Sequence, residues 1–263
     1  MPAIPNSTTR FGDRVENYIK YRPHYPREVV AYLRDTFGLT PDWVVADIGS
    51  GTGFSAELFL ENDNEVFCIE PNAPMREAGE EYLKARFTRS RLMNMTSIDA
   101  TAERTTLADH SIDLAIAGQA FHWFDIELSR REFNRILKEG GYAALMWNDR
   151  LTKESPFLVA YEALLQKFGT DYNEIDHRNV TAEIVTQFFG NKDFLYTEFD
   201  NVQTFGYEGI EGRLLSSSYV PREGEPTYAP MLTELRKIFD ETSEMGEASF
   251  LYKTEIYVGR LSA

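Results

Sequence analysis

Three glycines alternate with small polar residues in the segment DIGSGTG, residues 47–53. The segment follows an apolar run and precedes a helical pattern, so we expect a turn whose bare backbone approaches a ligand closely. A P-loop is excluded because the segment lacks the lysine of that motif. A dinucleotide-binding turn is disfavoured because Phe54 occupies the place of its last glycine. The turn therefore favours a ligand without a pyrophosphate.

A carboxylate follows at the end of the next apolar run. Glu70 closes the segment EVFCIE, residues 65–70. An acid at this place can accept hydrogen bonds from both hydroxyls of a ribose, or it can be a solvated acid at a strand end. Together with the glycine turn it favours a nucleoside, since nucleotide-binding folds place an acid there.

The segment GQAFHWFD, residues 118–125, could supply chemistry beside that ligand. His122 is a candidate catalytic and substrate-binding residue, because imidazole has an unperturbed pKa near ~6.5 and can act as a general base. A structural histidine in a pocket wall is the alternative. Trp123 could contact the substrate or a cation with its ring face, or it could simply pack.

Two polar and aromatic segments are further candidates. Tyr18, Tyr21 and Arg22 lie in YIKYRPHYP, where they could cover a ligand, with Arg22 neutralising a carboxylate of cofactor or substrate. Packing of an N-terminal arm is the alternative. Ser217 and Tyr219 lie in RLLSSSYVP and could orient a polar substrate, or the serines could cap a helix. The four histidines are scattered and no Cys/His cluster occurs, so we expect no metal site.

Alternating strands and helices must position these residues. Hydrophobic periodicity predicts strands at 43–49, 65–71, 92–99, 111–119 and 142–149 and helices at 27–37, 55–62, 73–87 and 126–140. Gly140-Gly141 is expected to end the last of these helices. The alternation predicts an α/β fold with a doubly wound, largely parallel sheet. Ligands of such sheets bind beyond the carboxyl ends of the strands.

The last third of the chain is less regular. Helical patterns occupy 155–168, 181–189 and 229–244, and strand patterns lie within 194–207 and 249–261. The two strands suit the antiparallel edge of the same sheet. We therefore expect one domain over residues 1–263, with an N-terminal cap segment at 1–35, a ligand-binding core at 36–149, and a remainder, 150–263, that completes the sheet and adds cap helices. A separate second domain is the alternative.

Composition restricts the partners. The 263-residue chain carries 27 Lys and Arg against 42 Asp and Glu, a net charge of −15. Nucleic acids and anionic lipids bind through Lys and Arg, so both are disfavoured. No apolar stretch is long enough to cross a bilayer, and the single cysteine, Cys68, suits a reducing cytoplasm. We expect a small-molecule substrate and a monomer or homodimer.

The motifs resemble those of a known family. DIGSGTG (47–53) resembles motif I of class I S-adenosylmethionine (SAM)-dependent methyltransferases. CIEPNAPM (68–75) resembles their second motif, and residues 99–124 resemble their third and fourth. Within that superfamily the chain is similar to the small-molecule group of trans-aconitate and ubiquinone/menaquinone-type methyltransferases, through 18–26 and 214–221. The resemblance implies a Rossmann-like doubly wound mixed seven-stranded sheet with helical cap insertions.

The resemblance also implies a set of residues around SAM. Asp47 would hold the ammonium group, Glu70 the ribose, and Met75 one face of the adenine. Relatives often place an Asp on the adenine amino group, but Thr101 stands at that position here. The complete set of implied cofactor residues is Asp47, Gly49, Ser50, Gly51, Gly53, Glu70, Pro71, Asn72, Met75, Thr101, Ala102, Gln119, Ala120, Tyr18 and Arg22.

The implied reaction is methyl transfer from SAM to a small-molecule acceptor by in-line displacement, with S-adenosylhomocysteine (SAH) as the product. A general base is needed only if the acceptor must lose a proton, so oxygen, nitrogen and carbon all stay open as the accepting atom. The alternatives are a non-catalytic SAM-binding protein and a NAD(P)-dependent oxidoreductase. A nucleic-acid methyltransferase is disfavoured by the negative charge.

Overall fold

A computed structural model describes residues 14–170, 172, 180–190 and 192–262. Seven strands form one mixed sheet in the order β3-β2-β1-β4-β5-β7-β6. Residues 1–13, which begin the predicted N-terminal cap segment, lie outside the described residues. Within those ranges, no helix is both long and apolar enough to cross a bilayer.

The helices and strands have the following bounds. The strands are β1 Val44–Ile48, β2 Glu65–Ile69, β3 Met95–Ile98, β4 Ile112–Gly118, β5 Leu137–Arg150, β6 Leu195–Phe205 and β7 Ala248–Gly259. The helices are α1 Val15–Tyr21, α2 Glu28–Phe37, α3 Phe54–Glu61, α4 Ala73–Arg86, α5 Arg89–Leu92, α6 Ile126–Ile136, α7 Pro156–Phe168, α8 Ala182–Phe189, α9 Tyr207–Leu215 and α10 Tyr228–Thr242. A short 3-10 helix spans Phe121–Trp123.

The topology confirms the predicted α/β class and seven-stranded mixed sheet. Strands β1 to β5 run parallel to one another, whereas β7 runs antiparallel to both β5 and β6. The order reverses between β1 and β4, because β1 leads outward to β2 while β4 lies on its other side. In this architecture the crevice at the carboxyl ends of β1 and β4 is where a ligand binds.

The central parallel strands β1 and β4 are buried on both faces, as their apolar sequences require. On β1, Val45 packs with the side chains of α2 and α3, whereas Ala46 and Ile48 pack with those of α6 and α8. A third apolar cluster, from α7, α9, α10 and β7, covers the antiparallel end of the sheet. Successive side chains of β1 thus alternate between two cores, and Asp47 lies on the α3 side, where Ser55 contacts it.

The prediction of a helix over 126–140 that ends at Gly140-Gly141 is wrong. Helix α6 ends at Ile136, and Leu137 already has extended backbone and pairs with Ile112 of β4. Between Leu137 and Tyr142 the strand bulges, because four residues of β5 oppose one residue of β4. Gly140 has φ +82° there. The glycines therefore permit an irregularity inside a long strand, a role that helical periodicity does not reveal.

Two helices that the sequence patterns did not predict hold the chain over the crevice. Helix α1 packs on α9 so closely that a Cβ on Gly212 would lie 2.0 Å from the Tyr21 ring. Both helices are short and carry aromatic and charged residues instead of a regular apolar stripe, so their tertiary packing decides their structure.

Candidate active site

A cavity of about 530 Å³ opens along the carboxyl edge of the sheet, within the size range of small-molecule sites. Its wall runs from Glu70, after β2, to Tyr252 on β7. Four strand spacings of about 4.8 Å separate β2 from β7, so the cavity spans about 19 Å. It therefore extends well beyond the glycine turn, toward β7.

The glycine turn forms the floor at one end. Gly49, Gly51 and Gly53 all have positive φ, at +71°, +54° and +83°. A Cβ on Gly49 would lie 2.6 Å from the Cβ of Ala120, so both the backbone conformation and the space require glycine. The turn is held to β2, because the amides of Gly49 and Ser50 donate to the Ile69 carbonyl at 2.8 and 3.0 Å.

Glu70 reaches back under this turn. One carboxylate oxygen accepts from the Gly51 amide at 2.9 Å, and the other accepts from the Asn72 amide at 2.8 Å. Burial raises the pKa of Glu70, while these two amides act in the opposite direction. Each carboxylate oxygen can accept more than one hydrogen bond, so the fixed carboxylate can still accept from a ligand hydroxyl at the cavity wall.

Asn72 marks the neighbouring wall. Its Oδ1 caps α4 by accepting from the Met75 amide at 3.1 Å. Its Nδ2 is buried and has no hydrogen-bond partner among the described residues, although the residue lines the cavity. A buried donor without a partner is costly, and an acceptor on a bound ligand, such as an adenosine nitrogen or oxygen, would satisfy it.

Asp47 lies beneath the turn and not on the cavity wall. Its side chain is fully buried, and its Oδ2 accepts from the Ser55 hydroxyl at 2.6 Å. Burial raises its pKa to about 7, opposed by the Ser55 bond and reinforced by the charge of Glu70. A cation above the turn would favour the ionised form, which is the state that the predicted contact with an ammonium group needs.

This pKa predicts how stability depends on pH. The folded carboxyl keeps its proton between about pH 4 and pH 7, where the unfolded carboxyl has lost it, so this group's contribution to stability falls as pH rises through that window. An amide does not titrate at this position. In the ligand-free protein, the free energy of unfolding of Asp47→Asn should therefore rise relative to that of wild type as the pH increases, by up to about 4 kcal/mol. Denaturant unfolding across the window measures this, with the exposed Asp42→Asn as control. Parallel curves for wild type and Asp47→Asn would contradict the assignment.

The end of β4 brings a third group of side chains to the crevice. Gln119 has φ +56°, an uncommon conformation for a residue with a side chain. Its amide donates to the Met146 carbonyl at 2.8 Å, and its side-chain oxygen accepts from the Asn148 amide at 3.0 Å. His122 and Trp123 follow in the 3-10 helix and both line the cavity.

Helix α1 covers the cavity from above the turn. Tyr18 stacks on Phe54, the first residue of α3, with ring centroids 6.0 Å apart. The Arg22 guanidinium lies 5.2 Å from the centre of the Tyr18 ring and donates to the hydroxyls of Ser216 and Ser217 at 2.9 and 3.1 Å. Arg22 therefore links the cover over the glycine turn to the end of α9.

Two functional candidates were not singled out from the sequence. Arg150 and Arg213 line the far end of the cavity and are only 8% and 5% exposed. A signal for Arg150 was available, because it directly follows the predicted strand 142–149 at the carboxyl edge. Arg213 lies on α9, whose helical structure was not predicted. The sequence pattern therefore gave no indication that its side chain faces the site.

Most of the sequence-predicted residues meet in this one cavity. The lining includes Tyr18, Arg22, Gly49, Ser50, Gly51, Glu70, Pro71, Asn72, Met75, Thr101, Ala102, Gln119, Ala120, His122, Trp123 and Tyr219. Four others lie behind the wall: Asp47 and Gly53 under the turn, Tyr21 against α9, and Ser217 beneath Arg22. Ser218 lines the cavity instead of Ser217. The individual roles of all these residues stay predictions.

Comparison with protein families agrees with this geometry. Residues 46–145 match a family described as a methyltransferase domain. The match begins within β1 and ends within β5, so it covers the parallel half of the sheet with the glycine turn and Glu70.

Individual relatives extend the similarity beyond that half. An uncharacterized methyltransferase of Schizosaccharomyces pombe is 28% identical over 253 residues, which are 94% of this chain and 95% of the relative. An uncharacterized methyltransferase of Mycobacterium bovis is 31% identical over 140 residues, 53% of this chain and 52% of the relative. The structure of a candidate type II methyltransferase from Anaeromyxobacter dehalogenans superimposes with a TM-score of 0.58 at 22% identity, covering 92% of this chain and 98% of that one. The structural match supports the fold.

Proposed function

We propose that this chain, which belongs to the class I SAM-dependent methyltransferases, transfers a methyl group from SAM to a small-molecule acceptor. The observation that carries this proposal is the meeting of a bare glycine turn and a fixed carboxylate in one cavity. Gly49 and Gly51 expose backbone there, and Glu70 is oriented by two backbone amides. This arrangement suits an adenosine without a diphosphate.

The residues at this end fit the cofactor. We assign Glu70 to the ribose hydroxyls. We assign Asn72 and Met75 to the adenine and the glycosidic bond beside it. When bound, SAM would supply an electrophilic methyl group whose transfer leaves a neutral thioether. The chain would then mainly fix the approach of the acceptor and exclude water, and the cover formed by Tyr18 and Arg22 suits that task.

His122 is our candidate for a general base. It lines the cavity on the loop after β4, at the end of the strand that borders the switch point. An acceptor that loses a proton on methylation would need such a group, whereas a deprotonated oxygen would not. We therefore assign His122 a catalytic role only if the acceptor must lose a proton. If the acceptor is a deprotonated oxygen, we assign it only a contact with the substrate.

The cavity's shape argues for a small acceptor. The far end is lined by side chains of β5, β7 and α9, and the total volume of about 530 Å³ must also hold SAM. A dinucleotide-dependent oxidoreductase is not favoured, because α3 begins with Phe54 where a pyrophosphate-binding fold places its third glycine.

Labelled methyl transfer tests the proposal. The protein is incubated with methyl-labelled SAM and a cell extract divided into small-molecule, protein and nucleic-acid fractions, and SAH is added as a competitor. We expect label to enter the small-molecule fraction, and SAH and Glu70→Ala to suppress it. Label in the nucleic-acid or protein fraction alone would contradict the small-molecule acceptor, and SAH binding without transfer to any fraction would favour a non-catalytic SAM-binding protein.

A further inference from the structure

The cavity wall contains more positive charge than the cofactor can neutralise. Arg22, Arg150 and Arg213 all line the cavity. Arg150 is paired with Glu162 on α7, but Arg22 and Arg213 form no ion pair with any described residue; their hydrogen-bond partners are hydroxyls and a carbonyl. In a chain with a net charge of −15, three arginines at one buried site with a single carboxylate partner require an explanation.

The arginines influence one another and their neighbours electrostatically. The pKa of Arg22 is lowered, first by burial and then by the positive charge of Arg213. Burial raises the pKa of Tyr219, but the positive charges of Arg22, Arg213 and Arg150 outweigh it and leave the pKa below its ordinary value. The three guanidinium groups therefore share one positive region around the Tyr219 hydroxyl.

The far end of the cavity also contains a hydrogen-bond donor without a partner among the described residues. The Nη1 of Arg150 is buried without a hydrogen-bond partner among the described residues, while its Nη2 donates to the Tyr172 hydroxyl at 3.2 Å. Arg213 donates through Nε to the Tyr252 hydroxyl at 3.2 Å. Guanidinium donors in a buried site match the paired oxygens of a carboxylate or phosphate. Among the described residues, Glu162 is the only carboxylate that contacts either of these two arginines.

Arg22 and Arg150 lie at the two sides of this group of three arginines, and Arg213 lies between them. It donates to Ser217, which Arg22 also contacts, and to Tyr252. Arg22 lies against Tyr18 over the glycine turn, where the carboxylate of SAM's methionine part would lie. Arg150 ends β5 and pairs in register with Tyr252 of β7, three and four strands from β2. One carboxylate on the cofactor can neutralise Arg22, and the positive charge beyond it remains.

We propose that the methyl acceptor is a small organic oxyanion, a carboxylate or phosphate, and that Arg150 and Arg213 hold its anionic group at the β7 end of the cavity. This inference rests on the proposed methyltransferase function and names the substrate class of the same site. The anionic group anchors the acceptor, and the tyrosine rings of Tyr172, Tyr219 and Tyr252 border its carbon body.

The test uses defined probes on the SAH-loaded protein. Succinate, benzoate and glycerol 3-phosphate are each compared at equal ionic strength with an uncharged counterpart: succinamide, benzamide and glycerol. We expect at least one anion to raise the unfolding temperature while its counterpart does not. Carboxylates and the phosphate are separate arms, so the response also identifies the oxyanion. If all three anions match their counterparts, the proposal is overturned.

Variants assign the effect to the two arginines. Arg213→Met and Arg150→Met should each weaken binding of the responsive probe by about tenfold or more, and Arg213→Lys should retain part of it. The control is Arg236→Met, which removes an exposed charge paired with Asp240 on α10 and should change nothing. Equal probe binding in wild type and both cavity variants would overturn the assignment.

SAH binding separates this inference from the proposed function. It is measured by calorimetry on wild type and every variant, and it should change less than threefold in Arg150→Met, since Arg150 contacts Glu162 and Tyr172 and none of the residues that hold Arg22. Failure of SAH to bind wild type would contradict the methyltransferase function itself. Normal SAH binding without any anion response would contradict only the acceptor class.

Discussion

Gly49→Ala is expected to abolish measurable SAH binding while the protein still folds. An alanine at φ +71° costs about 1–2 kcal/mol, and its Cβ would lie 2.6 Å from the Cβ of Ala120. The contact can be relieved only if the turn and the residues after β4 move apart. A turn displaced in this way no longer places its backbone groups against the ligand, and each hydrogen bond that is lost costs about 1 kcal/mol of binding free energy. Calorimetric titration with SAH measures the loss.

Gly38→Ala is the matched control for this substitution. Gly38 ends α2 with φ +81°, and a Cβ there would meet nothing within 4 Å. Gly38→Ala therefore has the backbone conformational cost of Gly49→Ala without its steric clash, and Gly38 lies outside the cavity lining. We expect a loss of about 1 kcal/mol in the free energy of unfolding and unchanged SAH affinity. Similar SAH affinities for the two variants would show that the Gly49 contact does not shape the site.

Glu70→Ala is expected to weaken SAH binding by about 1–3 kcal/mol, roughly 5- to 150-fold. The substitution removes the proposed ribose contact and also leaves the amides of Gly51 and Asn72 without their acceptor. Titration with adenosine and with 2′,3′-dideoxyadenosine distinguishes the two causes. Wild type should prefer adenosine, and Glu70→Ala should lose that preference.

Glu65→Ala controls for the loss of one negative charge on the same strand. Glu65 is exposed at the opposite end of β2, so its removal should leave SAH affinity unchanged. An unchanged affinity in Glu70→Ala, or a preference for adenosine that survives the substitution, would exclude Glu70 as the ribose ligand.

The parallel half of the fold could be predicted because its signals are local. The run from Val44 to Ile48 is apolar, ends in glycines and is followed by a helical pattern, and each later unit repeats this alternation. The meeting of the glycine turn, Glu70 and Gln119 in one cavity was predictable for the same reason, since these residues lie at strand ends whose position follows from the topology.

The rest depends on tertiary contacts that a sequence pattern does not contain. Gly140 resembles a helix stop, yet it permits a bulge in β5 because Leu137 is already paired with β4. Helix α9 has no regular apolar stripe, and its burial under α1 depends on the fit of Tyr21 against Gly212. Because α9 was not predicted, the convergence of Arg213 with Arg150 and Arg22 could not be derived either.

One titration tests the central claim, that the glycine turn and Glu70 bind an adenosyl group without a diphosphate. SAH and NAD are titrated separately into the wild-type protein in a calorimeter, and Glu70→Ala is titrated in parallel. We expect saturable heat with SAH at one site per chain, none with NAD, and a weaker SAH isotherm for the variant. Heat with NAD and none with SAH would contradict it.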